Sequence, residues 1–455
     1  MSGTWQIIRD ALSLDVSDLV YLYRPQNIDM TLLAQVGQPK PGFFVRIGAF
    51  FWRMLKLIRQ LPQSGRMPSF SPQAPLFFVT TNNQTAALRP LAQEINGAYL
   101  LGMEGFGDHQ LPLLWAYVWS LFFFPVVLVR YVLARGVARR PFRHVFDMYW
   151  LSYGYYILVR RLLRRMQPAV VIMANDHMLW TRAMLRAAQA EKITTIYLPH
   201  ASVSERFPPL AFDFALLDGF DAAQKYAACG PSATQVFLVG LPRFDAYATK
   251  INRRSRAAMA GICVNPQNGL AEVAALAEIL RQHVPEMRFV LRPHPGDTRR
   301  DMWQNLAQRV GWEYSDGRTE PAFQFLSRMD VVLAGDSNIL LEAALMNVYP
   351  IYYDFLGQKL DYYGFYQNGL APYYDEPQAV AVALQELATR KPDVRERTKR
   401  YCASVHTAYD GRSAELAAAL IHQIIAGELL TGTDWQRVPE IEGLVVYELS
   451  GKGSR

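Results

Sequence analysis

From residue 76 to residue 354, short apolar runs alternate with stretches of helical periodicity, and few architectures accommodate such a chain. The run LFFVT (76–80) precedes TNNQTAALRPLAQEI, where Asn82, Asn83 and Thr85 are helix-capping candidates. The pattern returns at PAVVIMAND (168–176), with a helix over 178–190. ITTIYLPH (193–200), FDFALLD (212–218) and QVFLVG (235–240) follow as further strands. Strands separated by helices need crossover connections, so the sheets are expected to be parallel.

Residues 248–258 are polar and basic, without strand character, and read as a linker. A second alternation begins at AGICVNP (260–266). It passes through the helix LAEVAALAEILRQHV, the strand MRFVL ending at Leu291, and a helix near 299–310. The strand DVVLAG (330–335), the helix ILLEAALMN and the strand YPIYYD (349–354) complete it, and helices near 377–390 and 410–427 end the chain. The expected fold class is therefore α/β, with two tandem Rossmann-like domains over 1–247 and 259–455, the final helices packing back. A chain of 455 residues exceeds one ordinary core, which agrees. Ligands of such sheets bind beyond the carboxyl ends of the strands, here expected in the cleft between domains.

Aromatic residues make up 13% of the chain, and much of that excess falls in three segments that also carry arginine. LPLLWAYVWSLFFFPVVLVRYVL (111–133) has one charge, Arg130, and the length of a membrane span, with Pro125 against a simple one. Arg135, Arg139, Arg140 and Arg143 follow it. In FFVRIGAFFWRMLKLIRQ (43–60), Phe44, Ile47, Phe51, Met54, Leu55 and Ile58 share one helical face, with Arg46, Arg53, Lys56 and Arg59 on the other side. MYWLSYGYYILVRRLLRR (148–165) ends in four arginines. These segments are expected to associate with an anionic membrane surface, in the plane rather than across it; a true span and buried helices of a large soluble core are the alternatives. The net charge of +7 also suits an anionic partner. Three scattered cysteines fit a reducing compartment, and the N-terminus lacks a secretory pattern, so a cytoplasmic location at the membrane is expected. No nucleic-acid recognition motif is present.

Candidate site residues lie at strand ends. In RPHPGD, Pro293 and Pro295 restrict the backbone around His294, pre-aiming an imidazole that can donate to a phosphate; Arg292 adds charge, and Asp297 or Thr298 can cap the next helix. A structural turn would use the same residues. In GDSNILLEAALMN, Ser337 opens a helix and offers an anion site, unless Ser337 or Asp336 is a plain cap. Glu342 lies further along, within reach of ribose hydroxyls.

LRPHP followed by GDSNILLEAALMNVYPIYYD resembles the donor domain of GT-B transferases of bacterial surface and capsular polysaccharide synthesis. The similar families are the CDP-glycerol glycerophosphotransferases and the capsule transferases that use CMP-sugars. VGLPRFDAY (239–247) resembles a segment near the domain junction of the first, and YLPHASVSERF (197–207) stands where such proteins carry a histidine-glycine loop. The resemblance covers about 168–360. It implies a nucleotide-sugar donor held by His294, Ser337 and Asn338 with Arg292 in support, and a ribose contact at Glu342. His200, Asp176 and His177 are the catalytic candidates, His200 or Asp176 as general base. Arg243 and Asp245 pin the junction. The acceptor would be a lipid-linked glycan. Two departures stand out: Ala201 replaces the loop glycine, and Asn338 replaces the second of two serines. No D-x-D metal motif is present, so no metal or other cofactor is expected. The alternatives are a UDP-sugar transferase, a non-hydrolysing sugar-nucleotide epimerase, or a non-catalytic scaffold of polysaccharide assembly.

Overall fold

The computed structural model describes residues 2–24, 42–59, 70–136, 139–428 and 435–450. Gln60 and the side chain of Arg140 lie outside the described residues. In chain order the strands are β1 (Leu76–Val79), β2 (Tyr99–Gly102), β3 (His109–Gln110), β4 (Val170–Met173), β5 (Thr194–Tyr197), β6 (Phe214–Leu217) and β7 (Gln235–Leu238). They continue as β8 (Met259–Val264), β9 (Arg288–Pro293), β10 (Glu313–Tyr314), β11 (Val331–Ala334), β12 (Tyr349–Tyr353), β13 (Tyr373–Tyr374), β14 (Trp435–Arg437) and β15 (Val445–Leu449).

The strands form two sheets, in order β14-β15-β7-β6-β5-β4-β1-β2-β3 and β10-β9-β8-β11-β12-β13. Every pairing is parallel except β14 with β15. In each sheet the chain winds outward one way from its first strand and then restarts on the other side. The second sheet thus has the 3-2-1-4-5-6 order of a Rossmann domain, with its switch point between β8 and β11. The first has its switch point between β1 and β4. The fold is α/β, with two Rossmann-like domains.

The chain forms two compact units. The first takes the described residues to Asp218, Ala223–Arg243 and those from Ala414 on; the second takes Gly219–Ala222 and Phe244–Ser413. The basic stretch 248–258 therefore belongs to the second unit, which it enters after a 3-10 run over Pro242–Lys250. The C-terminal residues add β15 to the edge of β7, a pairing too short and too distant in sequence for periodicity to reveal.

Local chemistry differs from the sequence expectation in several places. The helix Asn82–Glu94 is capped by Thr81, whose side chain accepts from the Gln84 N–H, rather than by Asn82, Asn83 or Thr85. β9 runs two residues past Leu291, because its ladder with β8 persists to Pro293. The 111–133 segment is not one helix. It breaks into Leu114–Leu121 and Phe124–Leu133, bent by 65°, and among the described residues no single helix is long and apolar enough to cross a membrane. Pro125 sits in the first turn of the second helix, where a missing N–H costs nothing.

The 148–165 segment lies within the helix Arg139–Met166, interrupted at Val145, and is core. Trp150, Tyr153, Tyr155, Ile157 and Val159 are buried, so this segment is corrected from interfacial to internal. Arg160 is buried too, bonded to Asp10 and Glu191 at 2.5 Å each. The helix Leu114–Leu121 crosses it closely at Gly154, where a Cβ would fall 1.9 Å from the Ala116 carbonyl oxygen. The helix Phe43–Arg59 packs on it through Phe50, stacked on Trp150 at 3.7 Å. Arg46, expected on the outer side, is buried and pairs bidentately with Asp147 at 2.8 and 2.6 Å.

Candidate functional site

In the first unit the site grows from the loop after β4. Asn175 turns the chain: its Oδ1 accepts from the N–H groups of His177 and Met178 and from the Thr181 hydroxyl. Asn175 thus folds the loop ahead of the helix Leu179–Ala190, whose cap residue is Met178, with no side-chain bond to its first N–H groups. Asp176 is buried. Its Oδ1 lies 2.8 Å from His177 Nδ1, and its Oδ2 accepts from the Tyr226 hydroxyl at 2.6 Å. Tyr226 in turn lies 2.9 Å from the Tyr197 hydroxyl, and burial pushes both phenols well above their usual range, so both keep their protons. The Arg182 guanidinium donates to the Asp176 carbonyl at 2.8 Å. A buried carboxylate is thus held in place by two donors.

His177 is equally confined. With Nδ1–H on Asp176, Nε2 faces the Asn175 amide nitrogen at 3.1 Å, and the amide is oriented by the three groups already bonded to its oxygen. Both ring nitrogens of His177 are therefore occupied within the loop. His177 and Asp176 are bonded to each other, and their remaining side-chain bonds go to Asn175 and Tyr226.

His200 follows β5 and meets the same loop. Its Nδ1 lies 2.5 Å from the Ala174 carbonyl oxygen, so Nδ1 carries the proton and Nε2 holds the lone pair. No hydrogen-bond partner for Nε2 exists among the described residues. Burial lowers this imidazole to about 4; the neighbouring Arg243 and His177 add to the effect, against the Ala174 bond and Asp176. Arg243 also donates to the His200 carbonyl at 2.5 Å. Of the two histidines among the catalytic candidates, His200 alone has a ring nitrogen without a hydrogen-bond partner among the described residues. On the other side of the switch point, Gln84 accepts from both Thr80 N–H and Thr80 hydroxyl and reaches Met178 with its amide, tying the loop after β1 to the loop after β4.

In the second unit, the loops after β8, β9 and β11 leave one edge of the sheet, at the β8–β11 switch point. β9 and β11 flank β8, so their ends lie roughly 10 Å apart. His294 stays tied to β8 through its N–H, bonded to the Val264 carbonyl at 2.8 Å. Its Nδ1 accepts from the Gly296 N–H at 3.0 Å. Accepting there leaves the proton on Nε2, so the exposed end of the ring is a donor. Loss of water around it lowers the His294 imidazole below its usual value, and Arg292 acts the same way against Asp297, so the ring stays neutral near pH 7. Asp297 closes the turn: its carboxylate accepts from the Arg299 N–H, the Arg299 guanidinium and the Trp303 indole.

Arg292 is spent inside the unit. Its guanidinium donates to the Ser315 hydroxyl and the Glu320 carbonyl, both at 2.7 Å, and covers the Phe325 ring. It braces the loop behind His294. Ser337 and Asn338 lie at the start of the helix Ile339–Leu345; its cap residue is Asn338, not Ser337 or Asp336. The Asn338 amide donates to Glu342 at 3.2 Å. Asp336 accepts from the Tyr362 N–H at 2.7 Å, which pins the tyrosine-rich loop after β12 to this edge. Cys263, near the end of β8, is buried, and burial pushes its thiol up to about 12. Among the described residues no group of His, Cys, Asp and Glu is arranged to hold a metal ion.

Asn175, Tyr226, Tyr197 and Gln84 were missed in the sequence. Asn175 had a local signal, an Asn right after a strand. Tyr226 had none, because it comes from a helix fifty residues away.

No family model matches the chain, and no curated protein matches it. Solved structures do match. A Listeria monocytogenes protein described as a candidate UDP-N-acetylglucosamine 2-epimerase is 12% identical, with 78% of this chain and 98% of that chain covered, at a TM-score of 0.55. The UDP-GlcNAc 2-epimerase of Neisseria meningitidis, bound to UDP-GlcNAc, is 12% identical over 77% of this chain and 100% of its own, at 0.53. The wall teichoic acid polymerase TagF covers 84% of this chain and 98% of its own at 11% identity and a TM-score of 0.46. At such identities the epimerase likeness is one of fold, the GT-B class.

Proposed function

We propose that the chain is a GT-B transferase that moves a sugar or polyol phosphate from a nucleotide donor to a lipid-linked surface glycan. The donor is CMP- or CDP-linked, no metal takes part, and the enzyme works at the cytoplasmic face of a bacterial inner membrane. The observation that carries the reading is the β8–β11 switch point. A neutral histidine with an outward Nε2–H and a serine hydroxyl stand at the strand ends where Rossmann sheets bind nucleotides.

Transfer from such a donor leaves a nucleotide phosphate, on which negative charge grows in the transition state. Fixed donors aimed at that charge lower the barrier. His294 Nε2–H and the Ser337 hydroxyl fill this role, Arg292 keeps the His294 loop rigid, and Glu342, steadied by Asn338, meets the ribose. In the first unit His200 Nε2 takes the proton of the acceptor hydroxyl, framed by Asn175, Asp176 and His177. An imidazole held near 4 is a weak base, but it remains unprotonated across the physiological range.

The test is titration of purified protein with CMP, CDP, UMP and UDP, beside His294→Ala. A cytidine nucleotide should bind selectively, and the variant should lose about ten- to a hundredfold, the worth of one hydrogen bond to a charged group. Uridine preference would move the assignment to a UDP-sugar transferase or a sugar-nucleotide epimerase. Absence of binding by all four would sink the enzymatic reading in favour of a scaffold. Activity abolished by chelator and restored by a divalent ion would overturn metal independence.

A further inference from the structure

The helix Phe43–Arg59 is apolar on two faces, and only one is covered. Phe50 and Arg46 point into the core. On the opposite arc Phe44, Val45, Phe51, Trp52, Leu55 and Ile58 are all exposed, Phe44 at 84% and Trp52 at 64%. The helix Phe124–Leu133 continues this surface. Phe43 stacks on Tyr131 at 4.9 Å, so the two helices are neighbours, and Val129, Val132 and Leu133 are exposed beside them. At the 65° bend before that helix, Phe122 is 72% exposed. Scattered surface apolar residues need no explanation, but a contiguous set of this size marks a docking surface.

Charge selects the occupant. The helices Phe43–Arg59, Leu114–Leu121, Phe124–Leu133 and Arg139–Met166 hold twelve Lys and Arg and one acid, Asp147, which is buried. That surplus of eleven exceeds the +7 of the whole chain, so the rest of the protein is net acidic. Some of these cations are consumed internally, Arg46 by Asp147 and Arg160 by Asp10 and Glu191. Others stand at the apolar face: Lys56 and Arg59 on the first helix, Arg139 over the Tyr131 ring and Arg161 over Trp119. A second copy of this chain would bring like charges together across the contact. A layer of anionic headgroups above hydrocarbon complements both features.

We propose that this face docks on an anionic phospholipid bilayer, with the Phe43–Arg59 and Phe124–Leu133 helices lying in the interfacial plane and neither crossing it. Helices of 17 and 10 residues fall short of the roughly 20 residues a span requires. This deepens the membrane part of the proposed function and rests on it, while standing apart from the donor chemistry.

The experiment is co-sedimentation of the full chain with vesicles of phosphatidylcholine alone and of phosphatidylcholine mixed with phosphatidylglycerol. The Phe44→Glu/Trp52→Glu double variant runs in parallel, with nucleotide titration of both proteins. The expected result is binding to the anionic vesicles, weakened by salt, with the variant losing at least ~10-fold in affinity. Both substitutions are on the surface, so the variant keeps its thermal midpoint. Three outcomes overturn the proposal: no binding by wild type, equal binding to both vesicle types, or a self-associated wild type that ignores vesicles and separates in the variant. A protein that binds nucleotide but no vesicles refutes this inference alone; one that binds vesicles but no nucleotide refutes the donor reading alone.

Discussion

At the scale of single residues, three imidazoles differ by what their nitrogens touch. His177 is closed at both ends, His294 offers a proton, and His200 offers a lone pair. The His200 value of about 4 has a thermodynamic consequence. Between about pH 6.5 and 4 the unfolded chain takes a proton at this position and the folded chain does not. Its contribution to stability is therefore complete above the unfolded value and declines as pH falls through that window, by on the order of 3 kcal/mol at the limit. Urea unfolding of wild type and His200→Asn at stepped pH measures it. The variant should show a smaller loss across the window, and parallel curves would refute the assignment. If His200 is the base, the acid limb of the rate should also lie well below pH 6.5.

At the scale of elements, the first unit is organised around the helix Arg139–Met166. The Arg46–Asp147 pair anchors the helix Phe43–Arg59 to it, and Arg53 reaches the same carboxylate at 3.1 Å. Removing one partner of a buried pair strands the other charge. Asp147→Ala should cost roughly 3–5 kcal/mol, whereas Arg46→Met with Asp147→Leu should cost far less. Chemical denaturation of the three proteins decides this, and equal losses in single and double variants would show that the pair is not what anchors the helix. The strands β1, β4 to β9, β11 and β12 were legible in the sequence with the helices between them, since period 2 and period 3.6 survive in short windows; β2, β14 and β15 were not read. β3, β10 and β13, with two residues each, carry no period at all.

At the scale of the whole molecule, each sheet restarts from its first strand, and the loops with the candidate site residues lie by those restarts. The C-terminal residues complete the first sheet. Tyr447 of β15 stacks on Phe237 at 5.0 Å, and Trp435 meets the same ring edge-on. Deleting the residues from 429 on should uncover β7 and remove at least about 2 kcal/mol, from the two aromatic pairs and their burial. Thermal unfolding with hydrogen exchange at 235–238 reads this out, and unchanged protection of β7 would refute it.

By itself the sequence determined the α/β class, the two alternations, and the histidines and serine at strand ends. Each is written in local periodicity or in adjacent residues. Tertiary structure alone decided which of three apolar, arginine-bearing segments is covered: 148–165 is core, 43–59 is covered on one face, and 111–133 is bent in two. It also brought Tyr226 to Asp176 and drew Arg46 inward. The physical reason is that periodicity records which residues share a face, while burial and pairing depend on what that face meets after the chain has folded.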